Sequence, residues 1–145
     1  MRLVIQRVRE AHVKIFGSDK IVGQIGKGLF VLVGLGKDDN KDVAEILAKK
    51  LVKLRILADK QGKMNLSVKD MNAEILVVSQ FTLYSDTSGG NRPSFIQAAE
   101  PKSAERIYEH FVIKLKEVGI KVETGKFGAY MEIRAALDGP VTIII

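Results

Sequence analysis

A Gly-Pro step near the end of the chain constrains the fold more than any other local feature. Gly139 and Pro140 lie between two apolar, strand-like runs, residues 131–137 and 141–145. Proline has no backbone N–H and is normally excluded from the centre of a sheet. The pair therefore predicts a tight bend of specific shape between two strands, and its peptide bond is a candidate for the cis form.

The first 35 residues are predicted to form four short strands, because apolar residues recur with a period of two or run continuously. Residues typical of turns, such as Gly17 and Gly26, separate neighbouring runs and predict a meander. The predicted strands are Leu3–Val8, Ala11–Phe16, Ile21–Ile25 and Gly28–Leu35.

Two helices and one further strand complete the local assignments. Apolar residues at helical spacing predict helices over Asp42–Leu57 and from about Pro101 to Val118, and an apolar run predicts a strand over Glu74–Ser79. A loop rich in Gly, Asn, Ser and Thr follows at Ser85–Ser94. We expect one α+β domain over residues 1–145, with a mostly antiparallel sheet or barrel-like core and two amphipathic helices.

Composition narrows the functional classes. The 145 residues include no cysteine, which excludes disulfides, thiolate nucleophiles and Cys-ligated zinc. No run approaches the roughly 20 apolar residues that span a bilayer, so we expect a cytoplasmic protein without a membrane partner. The net charge of +6 favours anionic partners, nucleic acid first, although a basic surface without a nucleic-acid role explains it equally well.

Few residues are suited to catalysis. There are two histidines, His12 and His110, and both are expected on the solvated surface, which argues against a Ser-His-Asp triad or a histidine-rich metal site. The segment Ser79–Thr82 instead places polar groups at the end of a buried strand. In an extended chain Ser79 and Phe81 share one side, and Gln80 and Thr82 share the other. Such groups can stabilise an oxyanion, or they can simply satisfy the backbone at a strand end.

Seven ordered motifs resemble the D-aminoacyl-tRNA deacylase family over essentially the whole chain. They are residues 4–8 (VIQRV), 26–29 (GKGL), 62–68 (GKMNLSV), 75–84 (ILVVSQFTLY), 90–95 (GNRPSF), 122–129 (VETGKFGA) and 138–142 (DGPVT). The resemblance implies a homodimer, without metal or organic cofactor, that hydrolyses the ester between a D-amino acid and the 3′ end of tRNA. Cleavage of mischarged glycyl-tRNA is expected as well. The sequence departs from the family at Leu137, where an Asn is common.

The resemblance also implies roles for individual residues. Ser79, Gln80 and Thr82 would line the active site. Gly139 and Pro140 would form a Gly-cisPro element that reaches into the partner subunit's pocket and excludes L-amino acids by a clash, and Arg7 would brace that element.

Several alternatives stay open from the sequence. Thr82 is either a nucleophile or a positioning group; we favour attack by water, with the backbone N–H groups of Phe81 and Thr82 holding the oxyanion. The Phe81 ring is either a core residue or a stacking surface for the terminal adenine. Basic residues such as Lys60, Lys63, Arg92 and Lys126 can contact phosphates. The competing functions are a non-catalytic nucleic-acid-binding module and a general esterase. DNA is not expected as a partner.

Overall fold

The computed structural model describes all 145 residues. The chain forms eight strands and two α-helices, with one short 3-10 helix after the sixth strand. The strands are β1 (Arg2–Ile15), β2 (Ile21–Ile25), β3 (Gly28–Gly34), β4 (Leu57–Ala58), β5 (Met64–Leu66), β6 (Glu74–Ser79), β7 (Val122–Thr124) and β8 (Met131–Ile144). The helices are α1 (Lys41–Lys53), α2 (Pro101–Glu117) and the 3-10 helix (Phe81–Tyr84).

The N-terminal third forms one long hairpin, so the predicted meander is wrong. The first two predicted strands are a single strand, β1, and β2 and β3 lie end to end along the same edge of β1. Ala11 pairs with Ile25 and Val8 pairs with Gly28, which keeps one register across the break between β2 and β3. Gly26 interrupts pairing but does not reverse the chain. Sequence periodicity could not distinguish a turn from such an interruption.

The sheet is mixed and curls toward a barrel, which confirms the predicted α+β class. β1 pairs antiparallel with β2, β3 and β8, whereas β3–β6 and β6–β7 are parallel pairs. Each parallel pair is joined through a helix, α1 or α2, as parallel connections require. The curl brings β2 across β7: a Cβ atom on Gly23 would lie 2.4 Å from the carbonyl oxygen of Thr124.

Two apolar cores lie on the two faces of the sheet. The larger one, 24 buried residues, packs β1, β3 and β6 against both helices, with Phe111 and Leu51 fully buried. The smaller core fills the inside of the curl and consists of Val8, Ala11, Val13, Ile25, Phe30, Leu76 and Val78. β3 is buried on both faces, as its continuous apolar run predicts.

The helix ends show where local signals suffice. α2 begins at Pro101, and Gly119 follows its end with φ +83°, as the sequence indicates. α1 begins after Asn40, whose side chain accepts from the Val43 N–H, but it ends at Lys53, short of the predicted Leu57. The chain turns extended at Leu54 so that Ile56 and Leu57 enter the core. No helix is long and apolar enough to cross a membrane.

Candidate active site

A cavity of about 600 Å³ opens at the carboxyl ends of β3 and β6. Its walls come from the ends of these strands, the 3-10 helix, the start of α2 and the segment that leads into β8. The 17 lining residues are Val33, Leu35, Val78, Ser79, Gln80, Phe81, Thr82, Ala98, Ala99, Pro101, Ala104, Phe127, Gly128, Ala129, Tyr130, Met131 and Ile133. The four residues singled out from the sequence, Ser79 to Thr82, therefore all face one space.

The backbone of this segment differs from the extended form expected from the sequence. β6 ends at Ser79, and the chain then enters the 3-10 helix at Phe81. The turn brings two side chains together that an extended strand would also place on one side: Gln80 Nε2 donates to Thr82 Oγ1 at 2.6 Å. Phe81 and Thr82 begin the helix, so their backbone N–H groups have no acceptor within it.

Two glycines at the end of β3 let the 3-10 helix pack closely. A Cβ atom on Gly34 would lie 2.8 Å from Leu83 Cβ, and one on Gly36 would lie 2.6 Å from the Tyr84 ring. A side chain at Gly34 would displace the helix itself, and one at Gly36 would displace the Tyr84 ring that anchors it. Gly34 and Gly36 were not predicted as site residues, although glycines near the end of a buried strand signal close backbone approach.

A polar network fixes the other side of the 3-10 helix. Arg2 Nη1 donates to the carbonyl of Leu83 at 2.7 Å, and its guanidinium lies 4.4 Å from the centre of the Tyr84 ring. Tyr84 Oη donates to Asp39 Oδ2 at 3.2 Å, and the same oxygen accepts from the Gly36 N–H at 2.6 Å. Burial, reinforced by the Asp39 charge, raises the pKa of Tyr84 to about 12. Tyr84 therefore remains a neutral donor that anchors the segment carrying Thr82.

Phe81 is a surface residue at the mouth of the cavity. Its side chain is 58% exposed and packs edge-to-face on Phe95, with ring centroids 5.0 Å apart. The alternative that Phe81 belongs to the core is therefore wrong. An exposed ring supported by a second ring is a surface on which a planar group can stack.

The cavity wall carries no Asp, Glu, His, Lys or Arg. His110 lies instead between the helices, where its Nε2 is 2.9 Å from Glu45 Oε1. His12 lies within β1, opposite Gln24 and Arg134 in the sheet. Neither histidine lines the cavity, so no imidazole is available there to activate the Thr82 hydroxyl.

The Gly139–Pro140 bend lies apart from this cavity. The bond is cis and Gly139 has φ +142°. The two predicted strands around it are one long strand, β8, in which the pairing with β1 jumps from Leu137–Val8 to Thr142–Gln6. Residues 138–141 therefore bulge opposite a single β1 residue, Arg7. Gly139 and Pro140 are exposed in this bulge.

Arg7 holds the base of this bulge. Its side chain is only 11% exposed. Its Nε donates to the Asp138 carbonyl at 3.0 Å and lies 3.1 Å from Asp138 Oδ2, while Nη1 donates to the Ile56 carbonyl at 3.0 Å. Arg9 adds a longer ion pair, 3.7 Å, to the same carboxylate. The structure thus brings Arg7 to the Gly-Pro bend, but it does not bring that bend to the cavity of the same chain.

Comparison with known proteins gives this geometry its context. A family model described as D-Tyr-tRNA(Tyr) deacylase matches residues 4–145. The chain belongs to this family. The D-aminoacyl-tRNA deacylase of Thermotoga petrophila is 56% identical over 145 residues, which make up 100% of this chain and 96% of that protein. Those of Thermosipho africanus and Brevibacillus brevis are each 52% identical over the full chain, and the match covers 96% and 99% of them.

Two solved structures share the deacylase-family fold. One, titled c-Myc DNA Unwinding Element Binding Protein, superposes with a TM-score of 0.91 at 38% identity, covering 100% of this chain and 97% of the other. The second, titled a probable eukaryotic D-amino acid tRNA deacylase, gives a TM-score of 0.87 at 18% identity, with 99% and 97% covered. At that lower identity the match establishes the fold alone.

Proposed function

We propose that this protein hydrolyses the ester that links a D-amino acid to the 3′ end of tRNA, releasing the free amino acid and the tRNA. The observation that supports this proposal is the 56% sequence identity, over the full length of the chain, to the D-aminoacyl-tRNA deacylase of Thermotoga petrophila. In this proposal, residues 1–145 form a single deacylase domain. The enzyme works in the cytoplasm on aminoacyl-tRNA and requires neither metal nor organic cofactor.

The active form is a homodimer in which Gly139 and Pro140 of one subunit enter the partner's cavity. Two features support this. The bend is exposed and lies outside its own cavity, and β8 is an edge strand that pairs only with β1. β8 also exposes Leu137 (46%) and Ile144 (72%), apolar surface that a second copy would cover.

Chirality is selected at this bend. The backbone of Gly139 and Pro140 meets the α-carbon of the substrate, so an L-amino acid clashes while a D-amino acid fits. Rejection by a clash requires no contact with the amino-acid side chain. Many D-amino acids are therefore accepted, and glycine, which has no side chain to reject, is accepted too. Arg7 holds the bend in register, because one guanidinium bridges the carbonyls of Asp138 and Ile56.

Water is the nucleophile in the proposed reaction. It adds to the ester carbonyl, and the backbone N–H groups of Phe81 and Thr82 stabilise the resulting oxyanion, with Ser79 lining the same wall. The Thr82 oxygen accepts from Gln80, which leaves its own O–H to donate toward the substrate or the water. The ester C–O bond then breaks, and the ribose 3′ oxygen takes the proton that the attacking water gives up, relayed through the vicinal 2′ hydroxyl. The uncharged cavity wall supports this route, since a hydroxyl without a base is a weak nucleophile.

The terminal adenine stacks on the exposed ring of Phe81, which the half-buried Phe95 supports. Aromatic side chains are the usual platform for unpaired bases of RNA. The 5.0 Å edge-to-face contact holds the Phe81 ring at the cavity mouth, where a base would lie beside the ester.

Hydrolysis of D-tyrosyl-tRNA and L-tyrosyl-tRNA, measured side by side, tests the proposal. We expect rapid loss of the D-ester alone. The same assay with D-tyrosyl-tRNA and an unrelated p-nitrophenyl ester excludes a general esterase if only the tRNA ester is cleaved. Equal rates on D- and L-tyrosyl-tRNA would contradict the chirality filter.

A non-catalytic nucleic-acid-binding module is the second candidate. It is favoured by one observation, the 38% identical structure whose title names a DNA-binding protein. That reading predicts binding of nucleic acid with no turnover of any ester. If the protein binds tRNA and leaves both tyrosyl esters intact, it is a binding module and not a hydrolase.

A further inference from the structure

The segment around β4 and β5 is basic. Residues 53–69 contain five Lys or Arg and one Asp, in a protein whose total net charge is +6. We call residues 57–66 the basic hairpin; β4 and β5 are its strands, and Lys60 and Lys63 lie at its exposed tip. Neither lysine takes part in an ion pair.

The single acid of the basic hairpin is used internally. Asp59 Oδ1 accepts from the N–H groups of Gln61 (2.9 Å) and Lys63 (3.0 Å), and Oδ2 accepts from Asn65 Nδ2 (3.3 Å). These bonds, the Lys63 N–H first, hold the pKa of Asp59 below its usual range. Arg55 Nε clamps the return strand through the Asn65 carbonyl at 2.7 Å. The tip is therefore ordered by its own carboxylate, which leaves both lysines directed to solvent.

The basic hairpin lies at the opposite end of the sheet from the cavity of its own chain. The cavity is at the carboxyl ends of β3 and β6, whereas the hairpin lies between the end of α1 and the start of β6. It lies instead beside the Gly-Pro bend. Arg7 Nη1 bonds the carbonyl of Ile56, the residue before β4, while Arg7 Nε bonds the carbonyl of Asp138.

We propose that the basic hairpin of one subunit binds the acceptor-stem phosphates of the tRNA whose 3′ end occupies the partner's cavity. The inference rests on the proposed function, since the Gly-Pro bend carries its neighbours with it when it enters the partner's cavity. Lysines without an internal partner suit phosphate oxygens, and such contacts give affinity without sequence preference. Each tRNA is thus bound by both subunits, its ester in one and its stem on the other.

A two-substrate assay tests the phosphate contact. The double variant Lys60→Ala/Lys63→Ala is compared with wild type on D-tyrosyl-tRNA and on D-tyrosyl-adenosine, which has the ester but no stem. We expect KM for D-tyrosyl-tRNA to rise about tenfold at low salt, with kcat unchanged and a shallower salt dependence. Turnover of D-tyrosyl-adenosine is expected to be unchanged. The control Lys49→Ala/Lys50→Ala removes the same charge from exposed positions of α1 and is expected to behave as wild type.

The outcomes separate the two proposals. The hairpin contact is overturned if the double variant keeps the wild-type KM for D-tyrosyl-tRNA, or if it loses activity equally on both substrates. Hydrolysis by the wild-type protein upholds the proposed function in either case. Wild-type protein inert toward both substrates overturns the proposed function, and the present inference with it. If KM rises equally in the α1 control, the effect reflects the overall positive charge, and a specific contact of the hairpin is overturned.

A mixed dimer tests the exchange between subunits. One subunit carries Ala129→Trp, which fills its cavity, and the other carries Lys60→Ala/Lys63→Ala. The open cavity then lies beside an intact hairpin, so we expect a KM equal to that of a dimer carrying Ala129→Trp in one subunit only. A tenfold raised KM in the mixed dimer would place the hairpin contact within one chain and overturn the inference.

Discussion

The side-chain amide of Gln80 donates a 2.6 Å hydrogen bond to the hydroxyl oxygen of Thr82. The bond engages an acceptor site of Thr82 and gives its O–H a defined direction, but an amide N–H cannot take the hydroxyl proton. With no carboxylate, imidazole or amine on the cavity wall, Thr82 has the surroundings of a positioning group and lacks those of an activated nucleophile.

Thr82→Ala is therefore expected to lower kcat by about a hundredfold, the cost of removing one well-placed polar group from a reaction that otherwise proceeds. Thr82→Ser keeps the hydroxyl and should retain most activity. Single-turnover hydrolysis of D-tyrosyl-tRNA measures both. An acyl group trapped on Thr82, or a loss in the alanine variant as deep as the uncatalysed rate, would make Thr82 the nucleophile.

Gly36→Ala is expected to displace the Tyr84 ring, and with it the anchor of the 3-10 helix, because the new methyl group would lie 2.6 to 2.9 Å from three atoms of that side chain. We expect a loss of roughly 1–3 kcal/mol in the free energy of unfolding, typical of overpacking, together with reduced kcat. Urea unfolding and deacylation measure the two effects. Gly89→Ala is the matched control, since nothing lies within 4 Å of its Cβ position. Equal stability of the two variants would mean that the helix is not fixed by Gly36.

Arg7→Lys is expected to impair hydrolysis of the D-ester and to weaken discrimination against the L-ester. Lysine keeps the charge, but its single ammonium group cannot reproduce the fork that bridges Asp138 and Ile56. Rates on D- and L-tyrosyl-tRNA give the discrimination directly. Arg9→Lys is the control, because Arg9 is 78% exposed and its Nε lies 3.7 Å from the same carboxylate, beyond hydrogen-bond distance. If both variants match wild type, Arg7 does not brace the bend.

The contact between α1 and α2 should make stability depend on pH. The hydrogen bond from His110, with Lys114 3.6 Å away, holds the pKa of Glu45 below its usual range despite some desolvation. A carboxylate with a depressed pKa in the folded state stabilises above its unfolded pKa, and that contribution is lost as pH falls through the folded value. Thermal unfolding of wild type and Glu45→Gln between about pH 6 and pH 3 tests this. The two Tm values should converge as pH falls, and a constant difference would contradict the assignment.

Glycyl-tRNA is expected to be hydrolysed, because a filter that acts by a clash at the α-carbon has nothing to reject in glycine. Hydrolysis of glycyl-tRNA and D-tyrosyl-tRNA over the same range of enzyme concentrations provides the measurement. Complete resistance of glycyl-tRNA at concentrations that clear D-tyrosyl-tRNA would require positive recognition of a side chain.

Local signals in the sequence were enough where one segment decides its own conformation. β6 has the predicted bounds, Glu74–Ser79, and α2 begins at Pro101 with a glycine after its end. The segment Ser79–Thr82 stands out in the sequence because polar groups end a buried apolar run, and the structure places all four residues on the wall of one cavity. Its helical turn was missed, since close packing against Gly34 and Gly36 shapes it.

The sequence by itself determined the α+β class, the two helices, the family and the residues that merit a test. Only the tertiary structure decided that β2 and β3 share one edge of β1, and that a single guanidinium joins Ile56 to Asp138 across most of the chain. Periodicity records which residues are buried, because burial follows from hydrophobicity and local geometry. Which strands pair, and which distant carbonyls one side chain can reach, depends on long-range packing that no local pattern encodes.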